Sequence, residues 1–148
     1  MIDIKRFWSM PNHETFKIPY IKQILKDELN NEYLDPFPYP FETDGLKLLK
    51  ETKSNSIKNL VFDPPYSQRQ LKEVYKNIGF SYDMNCSYWS NCKNEVKRII
   101  KKNGKVLSFA WNSTGIGKTR GFKIKKIWLI CHGGMHNDTI ITLEEKII

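Results

Sequence analysis

A short stretch after an apolar run combines a carboxylate, two rigid residues and an aromatic ring: Asp63, Pro64, Pro65 and Tyr66. An amine on a planar heterocycle is a poor nucleophile because its lone pair is delocalised into the ring. The Asp63 carboxylate and the Pro64 carbonyl could both accept N–H bonds from such an amine, which favours a tetrahedral nitrogen. The prolines restrict the backbone that aims the carbonyl, and Tyr66 offers a face for ring stacking. An electrophile held in line nearby would complete a group-transfer site.

The plainer interpretation is that Asp63 ends a strand and that the next residues begin a surface turn, since prolines commonly end strands. The position of the stretch favours chemistry, because it lies between an apolar strand and a helix. Asp35 and Asn112 also stand at predicted strand ends. Ligands of open α/β sheets bind beyond the carboxyl ends of the strands. We therefore expect Asp35, Asp63 and Asn112 to line one crevice.

The elements that must position these residues follow from hydrophobic periodicity. The pattern predicts helices over residues 21–30, 44–52, 68–79 and 87–104. It predicts strands over residues 32–37, 56–63 and 105–112, and then a hairpin over residues 121–134 and 138–147. Residues 1–16 are expected to form an irregular arm with a turn at Pro11 and Asn12. Strands that alternate with helices predict an α/β fold with an open, mainly parallel sheet and a C-terminal antiparallel hairpin.

Length, charge and apolar content limit the class of protein. The 148 residues suit a single domain, 1–148, and a net charge of +8 favours nucleic acid as a partner. A Lys-rich surface that serves only solubility is the alternative. No apolar run reaches the length of a membrane helix, and charges interrupt the first ten residues where a signal peptide needs an apolar core. We therefore expect a cytoplasmic protein without a membrane segment.

The stretch DPPY at a strand end resembles the catalytic signature of amino-methyltransferases that methylate adenine N6 or cytosine N4 in DNA. Other stretches resemble a phage-type group of DNA adenine-N6 methyltransferases: RFWSMPNHETFKI, DPF, FDPPYSQRQLKEVYK, GKVLSFAWNSTGIGKTRGF and HGGMHNDTIITLEEK. These motifs occur in the family's order and span most of the chain. The resemblance implies a Rossmann-like methyltransferase sheet in a prokaryotic or phage-infected cell.

The resemblance also implies a reaction, the transfer of a methyl group from S-adenosylmethionine to the N6 amine of adenine in DNA. It implies catalytic roles for Asp63, Pro64, Pro65 and Tyr66. It implies cofactor contacts from the arm, from a strand end and from a helix start: Pro11, Asn12, Thr15, Phe16, Asp35, Phe37 and Asp44. The DNA would be single-stranded, or a duplex whose target base is flipped out. RNA or a protein amine is the alternative substrate, because DPPY chemistry does not specify the polymer.

The spacing before Asp44 departs from the family. A methyltransferase sheet carries a helix and a second strand after its first cofactor loop, and that strand ends in an acid that binds the ribose hydroxyls. Here six residues, PYPFET, separate Phe37 from Asp44, which leaves no room for both elements. We expect a chain that lacks one strand–helix unit and that contacts the ribose through Asp44 or Glu42. The alternative is a catalytically weak or inactive relative that binds nucleic acid through the same crevice.

Two loops carry the remaining candidates. GIGKTRG fails the phosphate-loop pattern, because Asn112 stands where the first glycine is needed and no helix follows. We interpret it as a basic loop whose Lys118 and Arg120 contact DNA phosphates; an ordinary solvated loop is the alternative. Asn112, just before the loop, is expected to face the flipped base or the cofactor, and Trp89 is the candidate for stacking on the base. The hairpin turn CHGGMHND is expected to hold no metal, and His136 is expected to contact DNA or to brace the turn. Target recognition would rest on loops, on the basic surface or on a second subunit, as in a homodimer.

Overall fold

The computed structural model describes residues 1–12, 14–38, 44–65, 67–77 and 87–148. Its strands are β1 (Asp3–Trp8), β2 (Ile57–Phe62), β3 (Ile100–Ala110), β4 (Phe122–Cys131) and β5 (Thr139–Lys146). Its α-helices are α1 (Pro19–Leu29), α2 (Gly45–Glu51), α3 (Gln68–Asn77) and α4 (Ser87–Ile99). The bounds of α1, α2 and β2 lie close to those that periodicity predicts. In the part of the chain that is described, no helix is both long enough and apolar enough to cross a membrane.

The five strands of the described chain form one mixed sheet in the order β1-β4-β5-β3-β2. β1 runs parallel to β4 and β2 runs parallel to β3, whereas β5 is antiparallel to both of its neighbours. The α/β class and the hairpin of β4 and β5 agree with the prediction. The expectation of a mainly parallel sheet is only half right. The hairpin folds β5 back between β3 and β4, and this position creates two antiparallel pairings.

Alternating side chains of the sheet fill two hydrophobic clusters, one on each face. Along β2, Leu60 and Phe62 pack with α2 and α4, whereas Val61 between them packs with α1. β3 repeats the alternation, with Val106 in the first cluster and Leu107 in the second. Both central strands are therefore held from two sides, and so are the residues that follow their carboxyl ends.

The stretch EYLDPF, predicted as a strand, contributes one isolated bridge to β2. Leu34 donates its N–H to the Asn59 carbonyl at 3.0 Å, and its carbonyl accepts the Val61 N–H at 2.9 Å, in a parallel arrangement. The chain then turns at Asp35, whose Oδ1 accepts the N–H of Phe37 at 3.0 Å. Asp35 therefore emerges at the same edge of the sheet as the carboxyl end of β2.

Residues 3–8 form the edge strand β1 and not the irregular arm that we expect from the sequence. Their side chains are mostly exposed, so the segment lacks the alternation of buried and exposed positions that predicts a strand. The strand forms because its backbone pairs with β4, from Asp3 opposite Lys126 to Trp8 opposite Cys131. A partner more than a hundred residues away thus decides the structure of this segment.

α4 ends at Ile99, earlier than predicted, and β3 begins at the next residue. The Lys146 ammonium donates to the carbonyls of Lys97 and Ile100, each at 2.7 Å. These bonds satisfy carbonyl groups that a helix end leaves open. The NG pair that we expected to stop the helix lies inside β3 instead. Local sequence could not reveal this end, because Lys146 follows Lys97 by 49 positions.

A buried carboxylate holds the loop that follows β3. Glu144, on β5, is fully buried and accepts the N–H groups of Ile116 at 2.6 Å and of Gly117 at 3.0 Å. Burial raises the pKa of this carboxyl above its ordinary value, and the two N–H bonds oppose that change. Gly115, just before them, has a φ of +59°, and a Cβ there would overlap the Glu144 carboxylate. The loop can approach Glu144 this closely because residue 115 is glycine.

We predict that Gly115→Ala destabilises the protein more than Gly134→Ala. The two glycines have nearly the same left-handed backbone, with φ of +59° and +58°, and a side chain in that conformation costs about 1–2 kcal/mol. At Gly134 a methyl group would meet no described atom within 4 Å. At Gly115 it would also overlap Glu144, and overpacking costs about 1–3 kcal/mol more. Urea unfolding measures both losses, and equal losses would show that the loop does not rest on Glu144.

Candidate active site

A cleft of about 1140 Å³ opens where β2 and the Leu34 bridge end. Among the residues proposed from the sequence, it brings together Pro11, Asn12, Thr15, Phe16, Asp35, Phe37, Asp63, Pro64, Pro65 and His136. Asp35 and Asp63 thus line one cleft, as their positions at strand ends predict. The roles of these residues in binding or catalysis stay predictions.

The floor of the cleft is the segment of residues 63–65, directly after β2. Phe62 ends β2 opposite Ser108 of β3, so the segment starts from a fixed point of the sheet. Asp63 is half-buried, and the two prolines after it are buried. Trp89 of α4 donates its indole N–H to the Pro65 carbonyl at 2.8 Å. The segment is therefore held by the sheet at one end and by α4 at the other.

Asp35 gives the cleft a second carboxyl group. Burial raises the pKa of this carboxyl, and the hydrogen bond from the Phe37 N–H opposes the change. Phe37 is 3% exposed, and its ring meets Phe62 edge to face with 5.7 Å between ring centroids. The same turn thus presents a carboxyl group to the cleft and packs most of an aromatic ring into the core.

Residues 11, 12 and 14–17, which precede α1, form one wall of the cleft. This wall carries polar groups and is attached to the sheet by an aromatic ring. Asn12 closes a turn by accepting the N–H of Glu14 at 2.9 Å, and Lys17 forms an ion pair with Glu14. Phe16 packs against Phe109 of β3 with 5.3 Å between ring centroids. This contact fastens the wall to the sheet on the α1 side, so its polar groups have a defined position beside the cleft.

Asp44, predicted to lie near the cofactor, is outside the lining of the cleft. It is the N-cap of α2, and its Oδ1 accepts the Leu46 N–H at 3.0 Å. Burial raises the pKa of the Asp44 carboxyl, and hydrogen bonds from the N–H groups of Leu46 and Lys47 oppose the change. The structure therefore gives this acid a role in starting a helix.

The guanidinium of Arg120, which is predicted to contact DNA, is partly exposed and bonds to other parts of the protein. Its guanidinium donates to the side chains of Asn94 at 2.8 Å and of Ser90 at 2.9 Å, both on α4. It also donates to the Ile116 carbonyl at 3.2 Å. Arg120 thus fastens the loop after β3 to α4. Lys118, in the same loop, is exposed and stays the predicted phosphate contact.

A second cavity, of about 440 Å³, lies on the α4 side of the same floor. Pro64, Pro65 and Trp111 line both spaces. Asn112 lines the smaller one and closes a turn by accepting the Thr114 N–H at 3.0 Å. We expected Asn112 in one crevice with Asp35 and Asp63; it lines the smaller of two adjoining spaces, whereas the two acids line the larger. Residues 108–112, from the end of β3 and the start of the loop after it, form one wall of the smaller cavity.

Polar groups of the smaller cavity come from α4 and β3. Lys93 is half-buried there. The pKa of its ammonium is lowered, mainly by burial and also by the positive charge of Arg120. The Ser108 hydroxyl is 4% exposed and has no hydrogen-bond partner among the residues that are described. Trp89 forms part of the same wall, so its ring lies beside this cavity and its N–H is bound to the floor.

His132 also lines the cleft, although the sequence does not single it out. Its Nδ1 lies 3.0 Å from the Ser9 carbonyl and its Nε2 lies 2.9 Å from the Thr139 hydroxyl. The buried ring therefore links the end of β1 to the start of β5. No local signal could have shown this, because Ser9 is 123 positions away. His136, four residues on, is exposed at the cleft.

Three residues named above lie outside the described part of the chain. They are Tyr66, predicted to stack on the substrate, Glu42, predicted to reach the ribose, and Gly79, the last residue of the helix predicted over residues 68–79.

No protein-family model matches the chain, and no curated protein matches it. A solved structure of a candidate DNA modification methylase from Thermus thermophilus is 15% identical with a TM-score of 0.47, over 70% of this chain and 52% of its own. TrmN from Thermus thermophilus is 14% identical with a TM-score of 0.40, over 71% and 27% of the respective chains. A candidate methyltransferase from Escherichia coli is 8% identical with a TM-score of 0.44, over 96% and 62%.

The chain spans about half the length of the first of these proteins. With identities below 25% and TM-scores below 0.5, the likenesses assign neither a family nor a function to it.

We predict that Asp44→Asn keeps the helix cap and removes a pH dependence of stability. Asn caps helices about as well as Asp, whereas Asp44→Ala should lower the free energy of unfolding by about 1 kcal/mol. Burial raises the pKa of Asp44 in the folded protein above its ordinary value of 3.8. Between these two pKa values the folded state holds the proton more tightly than the unfolded state. The free energy of unfolding of the wild type should therefore fall, relative to Asp44→Asn, as the pH rises from 3.8 through the raised pKa. Urea unfolding at several pH values tests this, and a difference that is constant with pH would contradict it.

Proposed function

We propose that the protein transfers a methyl group from S-adenosylmethionine to the N6 amine of adenine in DNA. One observation carries the proposal: Asp63, Pro64 and Pro65 of the floor line a single cleft with the predicted cofactor residues around Asp35 and Phe16. The resemblance of DPPY and its flanking motifs to phage-type adenine methyltransferases supplies the identity of the reaction.

The residues of the cleft fit a cationic nucleoside. A volume of about 1140 Å³ slightly exceeds the usual range of small-molecule sites, about 300–1,000 Å³, so a cofactor and a flat acceptor ring have room together. The carboxyl group of Asp35 complements the positive charge of such a ligand. Asn12 and Thr15 offer hydrogen-bonding groups, and Phe16 offers an aromatic surface. When bound there, S-adenosylmethionine supplies a methyl group made electrophilic by its sulfonium.

The chain's own part in the reaction is to prepare the acceptor amine. The Asp63 carboxylate and the Pro64 carbonyl accept its N–H bonds and localise the lone pair on nitrogen. The carboxylate also stabilises the positive charge that develops on nitrogen. Trp111, at the mouth of the cleft, offers a face on which the acceptor ring can stack.

A second candidate is a nucleic-acid-binding protein without catalytic activity. Two observations favour it: only six residues separate Phe37 from Asp44, and Asp44 is used as a helix cap. Both leave the ribose of a cofactor without an assigned partner in the described residues. The net charge of +8 suits this candidate equally well. Cofactor binding therefore separates the two.

Isothermal titration calorimetry with S-adenosylmethionine should detect binding to the wild-type protein. Asp35→Asn should weaken that binding by about tenfold, because it removes a carboxylate that faces a cationic ligand. Asp27→Asn is the matched control, since Asp27 is exposed on α1 and away from the cleft. Ordinary KM values reach about 1 mM at the weak end. No measurable heat at about millimolar cofactor would therefore rule out the enzyme and favour the second candidate.

Asp63→Ala should lower methyl transfer to DNA by at least about a hundredfold, because it removes the acceptor that stabilises the developing charge. Cofactor affinity should stay within about twofold. Transfer of a labelled methyl group is measured on duplex DNA, single-stranded DNA, RNA and a peptide, with N6-methyladenine identified in the digested product. Asp27→Ala, an exposed aspartate of α1, serves as the control. Full turnover by Asp63→Ala would refute its role, and transfer to RNA or peptide alone would change the substrate.

A further inference from the structure

We propose that Trp89 is a positioning residue for the floor of the cleft. Its indole N–H holds the Pro65 carbonyl at 2.8 Å and thereby keeps the Pro64 carbonyl and the Asp63 carboxylate aimed at the acceptor amine. The catalytic sense of this role rests on the proposed function. The hydrogen bond itself does not.

The floor needs a donor from outside because it has few of its own. Pro64 and Pro65 have no backbone N–H, so neither can donate to the ladder that holds β2 to β3. The proline rings fix φ, which leaves the ψ angles as the soft torsions of the segment. A hydrogen bond to the Pro65 carbonyl restricts the last of these angles. With Phe62 fixed in the sheet, the segment is restrained at both ends and the carbonyl of Pro64 lies between them.

Trp89 is well suited to be that donor because α4 is fixed by the core. Tyr88, Cys92 and Val96 of α4 are each 3% exposed or less. The Trp89 ring meets Tyr88 edge to face, with 5.8 Å between centroids and 88° between planes. Indole nitrogen is a donor only, so this N–H suits a carbonyl partner. Part of the ring packs against the hydrophobic cluster on the α2 and α4 side, which limits its freedom to turn away.

This role differs from the one that the sequence suggested for Trp89, which was stacking on a DNA base. A stacking residue needs an open ring face, whereas Trp89 is half-buried and its polar edge is bound to the chain. The two roles also differ in the parameter that they affect. Loss of a stacking contact weakens DNA binding, whereas loss of a positioning bond slows the chemical step at saturating DNA.

Two substitutions remove the N–H and differ in what else they change. Trp89→benzothienylalanine replaces the N–H by sulfur and keeps the ring shape, and Trp89→Phe uses an ordinary side chain. Both should lower kcat for DNA methylation by about 10- to 100-fold, as expected for a displaced reacting group. KM for DNA and Kd for S-adenosylmethionine should change by less than about twofold. Trp128→Phe is the control, because Trp128 is 4% exposed in the cluster on the opposite face.

A measurement that needs no activity tests the bond directly. In the wild type, the indole proton of Trp89 should exchange with solvent more slowly than that of Trp8, which is 61% exposed. NMR signals are assigned from the loss of each peak in the corresponding Trp→Phe variant. Rapid exchange at Trp89 would overturn the proposal, whatever the activity.

The remaining outcomes separate the two proposals. A loss of kcat in Trp128→Phe as large as in the Trp89 variants would show a general effect of destabilisation and would overturn the positioning role alone. A rise in KM for DNA at unchanged kcat would restore the stacking role in its place. A wild type with a protected Trp89 indole and no methyl transfer would overturn the proposed function, and with it the catalytic meaning of the bond.

Discussion

β5 is the constraint on which the rest of the described structure depends, because the two parallel strand pairs of that structure meet only through it. Two of its side chains on one face, Glu144 and Lys146, are buried charges, and burial raises the pKa of the first and lowers that of the second. Such charges are tolerated in a protein interior when hydrogen bonds satisfy them. Glu144 holds the loop after β3, and Lys146 holds the end of α4. One strand therefore fixes the sheet, a wall of the smaller cavity and the helix that carries Trp89.

Hydrophobic periodicity predicted α1, α2, β2 and the hairpin because each helix buries one apolar stripe and the strands are apolar runs packed against the two clusters. β1 and the end of α4 were not predicted, and the reason is the same for both. β1 is mostly exposed and is held by backbone pairing with β4, and the end of α4 is set by the Lys146 ammonium. In both cases the deciding partner is distant in the chain and leaves no pattern in the segment itself.

In the candidate site, the sequence predicted the positions of some residues better than their roles. The rule for strand ends placed Asp35 and Asp63 correctly in one cleft, because it depends only on the direction of neighbouring strands. The rule does not show which hydrogen bonds a charged side chain makes. Asp44 caps a helix, although the sequence predicted a cofactor contact. Arg120 bonds to α4, although the sequence predicted a contact with DNA. The position of a residue at the end of a strand is therefore a better guide to its place in a site than its charge or its nearness to a motif.

The position of β5 also has a consequence for the order of events during synthesis. Residues 139–146 are made after every other strand of the described sheet, yet they occupy its middle. At a synthesis rate of about 5–20 residues per second, the emerging chain passes through an interval in which β3 and β4 each have an edge without a partner. Unpaired edges are sites of aggregation. The nascent chain is thus most vulnerable just before its last strand becomes available, and chaperone protection would matter most at that moment.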